Sequence, residues 1–418
     1  MNDSIIYLID NYVDNHKKQL KHIKQYHDKD KDMIISAQKI VKNIIIDRKL
    51  IIFGGLAIDY ALRLKGSSIY YDEDLPDYDC VSDRNVDDAY DIGEILSDAG
   101  FENVKVIRAK HVETMRVRIN LITIIDIGYI PTKYFNQYKF LIYDQLRILH
   151  PDIQRIDMHK AFCFPLNNAP MEDIFHRWTK DLERFNLYEQ YYPISENEVN
   201  YEYKNICYKL PKLNYNLIAF NGFVAFAMFR IELLKYINVD SIPDMNLQFI
   251  NKTNFSINIP GNNKNCHLVI GESIDNITGK KYNPILEIIP KNVVVDNVCI
   301  YEINMLSITK INNINIVNIQ YLLLWFLFHY NFNESDNDKK IYGNFYVYTL
   351  QMIQLSMNVI KSKHNPFYPT LTFLGPDVGY IPSVQNPKYP INYTPDKINT
   401  RKTFDYNNFS ISGEEIIE

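Results

Sequence analysis

A short apolar run, Leu50-Ile51-Ile52-Phe53, ends at Gly54-Gly55 and continues without a break into the helical pattern "GGLAIDYALRLKG". Apolar residues recur on one face of that pattern, Asp59 and Arg63 stand four positions apart, and Gly66 follows as a helix end. A strand that turns into a helix at two glycines can bury its apolar residues only if the helix packs back onto the sheet. The stretch therefore predicts a strand–glycine–helix unit within a sheet that has helices packed on it.

The pattern continues through the next 70 residues or so with alternating helix and strand signals. A second helix is predicted from Asn85, which is a favourable N-cap residue, to Gly100. Three strand-like runs follow it, "FENVKVIRA", "HVETMRVRI" and "LITIIDIGYI". Residues 50–130 thus have the order β-α-β-α-β-β-β, which predicts an α+β fold with a mixed sheet and flanking helices.

Three acids in this region are candidates for a metal site. Asp77 and Asp79 alternate in "DLPDYDCV", so a strand there would aim both carboxylates at the same face, whereas Asp74 before the proline is read as a loop residue. Asp126 is a single acid within an apolar strand and needs a partner for its charge. An acidic turn and a satisfied core acid would explain each residue alone. Together they suit hard divalent cations, which prefer carboxylate oxygens.

Composition limits the classes of partner. The 418-residue chain has a formal net charge of −5, so any polyanion must be held by a local basic patch rather than by the whole surface. Five scattered cysteines without CxxC spacing indicate reduced thiols. The N-terminus lacks the features of a signal peptide, and the longest apolar run, residues 321–328, is too short for a membrane span and predicts a buried helix. No membrane partner is expected.

The second half of the chain contains a stretch that resembles the first unit. "NLIAFNGFVAFAMFRIEL" at 216–233 has the same apolar strand, Phe-x-Gly and helix as residues 49–64, but no acidic pair follows it. Duplication and chance both remain open as explanations. We predict an N-terminal helical segment at 1–48, a catalytic domain at 49–190, a second α+β domain at 200–365 that is either a degenerate repeat or unrelated, and an irregular segment at 366–418.

Basic residues on two elements are candidates for contacts with phosphate. A helix predicted at 172–187 places Arg177, Lys180 and Arg184 on one face and turns Leu182 inward. Arg116 and Arg118 alternate onto one face of their strand. Each set is read either as a solvated face or as a contact to triphosphate or RNA.

The order Phe53-Gly54-Gly55, Asp77-Tyr78-Asp79, Asp126 resembles the polymerase-β-like nucleotidyltransferase superfamily. Within it, the stretches "FGGLAIDYAL", "DYDC", "HVETMRVRIN", "IIDIGYIP" and "EDIFHRWTKDLERFNLYEQYYP" are similar to the poly(A) polymerase catalytic subunits of large cytoplasmic DNA viruses. The similarity covers about residues 50–192. Residues 56–76 form a spacer of 21 residues between the glycines and Asp77, which is longer than is usual in the superfamily.

The resemblance implies a role for each matching residue. Asp77, Asp79 and Asp126 would hold two Mg²⁺ or Mn²⁺ ions, and Gly54 and Gly55 would let the backbone approach the triphosphate of ATP. Arg177 and Lys180 are further candidates for binding the nucleotide. The implied activity is template-independent addition of AMP from ATP to mRNA 3′ ends.

Two other functions stay open on the sequence. One is a different nucleotidyltransferase, which adds CCA or modifies a small-molecule acceptor. The other is an inactive nucleotidyltransferase fold that binds RNA. The resemblance also implies a host-cytoplasmic or virion location, and the acidic net charge suggests that a second copy of the chain or a processivity partner helps to enclose the RNA.

Overall fold

The computed structural model describes residues 30–109, 113–163 and 174–197 and shorter stretches beyond them: 206–207, 218–220, 222–236, 255–256, 266–269, 286–290, 298–302, 308–311, 314–333, 335–361, 365–367, 392–395, 401–407 and 410–411. The chain divides into two compact units. Residues 1–154 and 383–418 form the first, and residues 155–382 form the second. The helix expected within residues 1–29 lies outside the described residues.

The first unit contains the predicted alternation of helices and strands. Its elements are α1 (Lys31–Asp47), β1 (Ile51–Ile52), α2 (Gly54–Arg63), β2 (Tyr78–Ser82), α3 (Asn85–Asp98), β3 (Val104–Arg108), β4 (Thr114–Ile119), β5 (Ile122–Tyr129), α4 (Thr132–Phe135), β6 (Phe140–Tyr143), β7 (Leu146–Leu149) and the start of α5 (Pro151–Cys163). The predicted order from 50 to 130 is confirmed, and the hairpin β6–β7 is an addition that the sequence did not predict.

These seven strands and β16 (Asn392–Tyr393), from the C-terminal part of the chain, form one mixed sheet of eight strands, in the order β16-β3-β4-β5-β2-β1-β7-β6. The pairs β2–β5 and β1–β7 are parallel, and the others are antiparallel. The parallel pairing of β2 with β5 sets the start of β2 beside the middle of β5, at the centre of the sheet, which is where the candidate acids lie.

Helices cover the two faces of this sheet unequally. Helix α3 packs against β3, β4 and β5, and α1 packs against α3. A Cβ at Gly93 of α3 would lie 2.5 Å from Val106 Cγ2, so α3 lies on the Val106 face of β3. Helix α2 lies on the opposite face, because its first residue, Gly54, approaches the side chain of Asp79. The acids therefore share a face with α2 and not with α1 and α3.

The long spacer before Asp77 is anchored by Asp59, a buried acid of α2 that is 1% exposed. One carboxylate oxygen of Asp59 accepts the backbone N–H groups of Ile69 and Tyr70, each at 2.8 Å, and the other accepts the Nε–H of Arg63. Arg63 also donates to the Tyr70 carbonyl at 3.1 Å, which confirms the predicted Asp59–Arg63 pair and extends it. The spacer is thus fixed to the helix that follows the two glycines.

Asn85 does not cap α3, as the sequence had suggested. The helix begins at Asn85 itself, and its buried side-chain amide donates to the carbonyls of Glu113 (3.0 Å) and Ile127 (3.1 Å) at the ends of the sheet. The prediction was wrong because the side chain of Asn85 is buried and donates to these carbonyls instead of accepting an amide of α3. The first amides of α3, at Val86 and Asp87, donate instead to the Tyr406 hydroxyl at 3.0 and 3.2 Å.

Tyr406 belongs to a C-terminal stretch that returns to the first unit. Strand β16 (Asn392–Tyr393) pairs with β3, and Arg401 forms ion pairs with Asp87, Asp91 and Glu94 of α3. Strands β17 (Phe404–Asp405) and β18 (Ser410–Ile411) pair with each other beside it. Residues 392–395 and 401–407 therefore belong to the first unit.

The second unit contains α6 (Ile174–Tyr191), β8 (Ile206–Cys207), β9 (Ile218–Phe220), α7 (Gly222–Leu234), β10 (Phe255–Ser256), β11 (Cys266–Val269), β12 (Leu286–Pro290), β13 (Val298–Glu302), β14 (Ile308–Ile311), β15 (Ile314–Val317), α8 (Ile319–Phe332) and α9 (Asp336–Val359). The apolar run at 321–328 lies in α8 and is largely buried, as predicted. Among the helices that the structure describes, none has the length and apolarity of a membrane span.

The two sheets share a four-strand topology. In the first, β1 lies between antiparallel β2 and parallel β7, and β7 pairs with β6 in a hairpin. In the second, β9 lies between antiparallel β13 and parallel β15, and β15 pairs with β14 in a hairpin of equal length. Each hairpin leads straight into a helix, and Gly54 and Gly222 both have positive φ, +69° and +62°. By register, Cys299 takes the position of Asp79.

The anchoring of the spacer gives a testable expectation. In Asp59→Ala, two amides lose their acceptor, at a cost of about 1–3 kcal/mol, so roughly 5- to 160-fold faster hydrogen exchange is expected for residues 67–76. Asp59→Asn retains an acceptor and should show a smaller increase. Asp72→Ala is the matched control, because Asp72 pairs with Arg63 from an 81% exposed position. Equal exchange in Asp59→Ala and the control would contradict the anchoring role.

Candidate active site

The three candidate acids converge where the start of β2 lies beside the middle of β5. Asp79 and Asp126 are direct partners in the parallel pair β2–β5, so their side chains lie on the same face of the sheet. Asp77 immediately precedes β2, two residues before Asp79. One carboxylate oxygen from each of the three lies within 4.8 Å of the others. The sheet register therefore brings together the three carboxylates that the sequence spacing had suggested as one site.

The donor set fits magnesium or manganese. Asp77 is exposed, Asp79 is half-buried and Asp126 is 5% exposed, so the site is open to solvent on one side and buried on the other. Oxygens around an octahedral Mg²⁺ lie about 3–4 Å apart, and small side-chain rotations would bring these carboxylates into that range. An all-oxygen set suits hard cations rather than zinc. The side chains thus form a carboxylate group that could hold metal ions.

Asp126 also has a protein partner that the sequence reasoning did not identify. Arg116 on β4 donates from Nε to Oδ1 at 2.7 Å and from a terminal nitrogen to Oδ2 at 2.6 Å, which is a bidentate pair. The hydrogen bond to Asp126 raises the pKa of Arg116, and the charges of Asp77 and Asp79 add to that increase. Arg116 therefore already balances the buried charge of Asp126, so a metal is not the only partner for that charge.

A β-bulge decides this pairing. Between Val117 and Arg118 the register of β4 against β5 shifts by one residue, which places Arg116 opposite Asp126. Without the shift, Arg116 would lie opposite Ile125 and point to the other face, since a one-residue slip reverses the faces. Counting residues outward from the turn between β4 and β5 therefore does not identify Arg116 as the partner of Asp126.

The two predicted phosphate-binding glycines lie beside the acids. Gly54 has φ +69°, and a Cβ on it would lie 2.9 Å from Asp79 Oδ2. The backbone N–H of Phe53 donates to the Asp79 carbonyl at 2.9 Å, which fixes the turn against β2. Gly55 follows in the first turn of α2 and is buried, and no side chain caps this helix. Glycine at 54 thus allows the helix start to approach the carboxylates closely.

Arg177 and Lys180 belong to the second unit, on α6. Arg177 contacts Asp181 at 3.4 Å and Asp157 at 3.9 Å, and Lys180 is exposed. Leu182 was expected to face inward but is 48% exposed. The buried face of α6 instead runs through Asp181 and Tyr188, which are seven residues apart. Leu182 follows Asp181 by one residue, a rotation of about 100° about the helix axis, and so lies off that face. The binding roles of Arg177 and Lys180 stay predictions.

Comparisons with known proteins agree on one family. Residues 39–168 match the family described as poly(A) polymerase catalytic subunit. Proteins of African swine fever virus with that description, from a Kenyan pig isolate and from the Badajoz strain, are each 35% identical over 358 residues, which cover 80% of this chain and 74% of theirs.

The fold has a solved counterpart. The Megavirus polyadenylate synthase superposes with a TM-score of 0.64 at 16% identity, over 91% of this chain and 81% of that one. This likeness confirms the nucleotidyltransferase-type α+β fold that the motif order implied. Because the viral relatives exceed 30% identity over most of their length, the chain belongs to the family of viral poly(A) polymerase catalytic subunits, and it is a polynucleotide adenylyltransferase.

Proposed function

We propose that the chain adds AMP from ATP to mRNA 3′ ends at the Asp77–Asp79–Asp126 site with two bound divalent ions, Mg²⁺ or Mn²⁺. The convergence of the three carboxylates within 4.8 Å is the observation that carries this proposal. Ions held there would supply positive charge that activates the RNA 3′-hydroxyl and stabilises the departing pyrophosphate.

The protein groups have separate tasks in this reaction. Asp77 and Asp79 would hold the ions from the start of β2, and Asp126 would hold them from β5. Arg116 fixes the orientation of the Asp126 carboxylate through its two hydrogen bonds. Gly54 lets the triphosphate of ATP approach the first turn of α2, whose N–H groups and positive dipole end favour an anion. Arg177 and Lys180 are proposed as further contacts to the nucleotide.

We also propose that residues 200–365 contain a degenerate repeat of the catalytic fold. The shared order of four strands, the matching hairpins and the two glycines with positive φ support duplication over chance. Cys299 at the register position of Asp79 indicates that this copy holds no catalytic metal. A second copy of the chain or a processivity subunit as partner, and a host-cytoplasmic or virion location, are proposals that rest on the family alone.

Extension of an RNA primer tests the catalytic proposal. With oligo(A), ATP and Mg²⁺ or Mn²⁺, the wild type should extend the primer, and Asp77→Asn, Asp79→Asn and Asp126→Asn should each lower the rate about 100-fold or more, equivalent to about 2.7 kcal/mol of activation free energy. Asp74→Asn is the matched control from the same stretch and should retain the rate, because Asp74 accepts the Tyr71 amide in a turn and is not one of the three clustered acids.

Two results would contradict this assignment. Undiminished extension by the three Asn variants would exclude these acids as the metal site. A preference for CTP, or for a small-molecule acceptor over oligo(A), would favour the other nucleotidyltransferases.

The contact between Gly54 and Asp79 predicts a second, independent effect. Gly54→Ala and Gly66→Ala both place a side chain at positive φ, at a similar cost of about 1–2 kcal/mol. Only Gly54→Ala also displaces the Asp79 carboxylate, because nothing lies within 4 Å of a Cβ at Gly66. We expect Gly54→Ala to lower the rate of AMP addition tenfold or more, and Gly66→Ala to change it about twofold at most. Equal rates in single-turnover measurements would contradict the close-approach role.

A further inference from the structure

A basic strip lies next to the acids on their own face of the sheet. Arg116 is the register partner of Asp126 on one side and of Ile107 on the other, so all three side chains share that face. Lys105, two residues before Ile107, and its partner Arg118 continue the same face along β3 and β4. We call Lys105 and Arg118 the basic strip.

The basic strip is accessible from solvent. Lys105, Ile107, Arg116 and Arg118 are half-exposed, whereas the alternating residues Val104, Val106, Val117 and Ile119 are at most 2% exposed beneath α3. The helix layer therefore covers only the reverse face of these strands.

The charges of the strip have no acidic partners in the part of the chain that the structure describes. No ion pair involves Lys105 or Arg118 among these residues, and the Nε of Arg118 is buried without a hydrogen-bond acceptor there. Arg116 differs, because its charge is paired with that of Asp126. Two unneutralised cations beside three acids indicate a place for an external polyanion.

In the strand order, the proposed ATP site and the basic strip lie on opposite sides of the acids. Gly54 and the start of α2 follow β1 on one flank of the acids, and the basic strip on β4 and β3 lies on the other flank. Neighbouring strands are about 4.8 Å apart and two residues along a strand about 6.6 Å, so the backbone positions of Arg118 and Lys105 lie about 8 Å and about 12 Å from that of Asp126. That span matches the last phosphates of a chain whose 3′-hydroxyl lies at the acids.

We propose that Lys105 and Arg118 bind the phosphodiester backbone of the RNA primer next to its 3′ end. This inference rests on the proposed catalytic function, in which the triphosphate of ATP takes the Gly54 flank. The strip is assigned to backbone charge and not to bases, because a lysine ammonium and an arginine guanidinium bind phosphate oxygens whatever the base sequence.

The binding of fluorescently labelled oligo(A) to the full-length chain, measured without ATP or metal over a range of salt, tests the strip. Each lost phosphate contact lowers the slope of log K against log salt by about 0.7 for single strands, so Lys105→Gln/Arg118→Gln should lower it by about 1.4 and weaken binding roughly tenfold at 0.15 M salt. In the extension assay the KM for oligo(A) should rise, with the KM for ATP within about twofold of the wild type.

Lys39→Gln/Lys49→Gln is the matched control, since it removes the same charge. Both lysines are exposed, one on α1, which packs against α3, and the other before β1. Its RNA affinity should match the wild type. An unchanged slope and affinity in the strip variant would overturn the inference, and so would a rise in the KM for ATP alone, which would assign the strip to the triphosphate.

Failure of this inference is distinguishable from failure of the catalytic proposal. Primer extension that survives the loss of Asp77 or Asp126 would contradict the catalytic site, whereas the binding measurement contains neither ATP nor metal and tests only the strip.

Discussion

The mutual repulsion of three carboxylates is the constraint on which the rest of the first unit depends. Two unit charges at 4.8 Å repel by about 3–4 kcal/mol at an effective dielectric constant of 20. The parallel pairing of β2 with β5 holds Asp79 and Asp126 together against this repulsion, and Arg116 neutralises part of the charge from the adjacent strand. What remains is a net negative site that favours cations.

Other features of the first unit position the three carboxylates or the helices behind them. The glycine at 54 leaves room for the Asp79 carboxylate, and the buried Asp59 fixes the long spacer that ends at Asp77. On the far side of the sheet, the C-terminal stretch caps α3 through Tyr406 and extends the sheet through β16. Helices α1 and α3 consequently lie on the face of the sheet opposite the acids.

The sequence predicted the local units well, because their signals are local. The strand–glycine–helix unit, the alternation of Asp77 with Asp79 and the order of elements from 50 to 130 all follow from periodicity and turn residues. The partner of Asp126 did not follow, because a single β-bulge moves Arg116 to the acid face. Asn85 was wrongly predicted to cap α3, because its side chain donates to carbonyls 28 and 42 residues away. The hydroxyl that accepts the first amides of the helix belongs to Tyr406, which lies 320 residues after Val86.

The most direct test of the account counts the ions that the acids hold. Titration of the wild type with Mn²⁺ in the presence of a non-hydrolysable ATP analogue, followed by electron paramagnetic resonance, should show two bound ions per chain. Asp126→Asn, which keeps the shape of the side chain, should bind one ion fewer or bind it at least tenfold more weakly. The same number of ions at the same affinity in both proteins would contradict the claim that Asp77, Asp79 and Asp126 form one metal site.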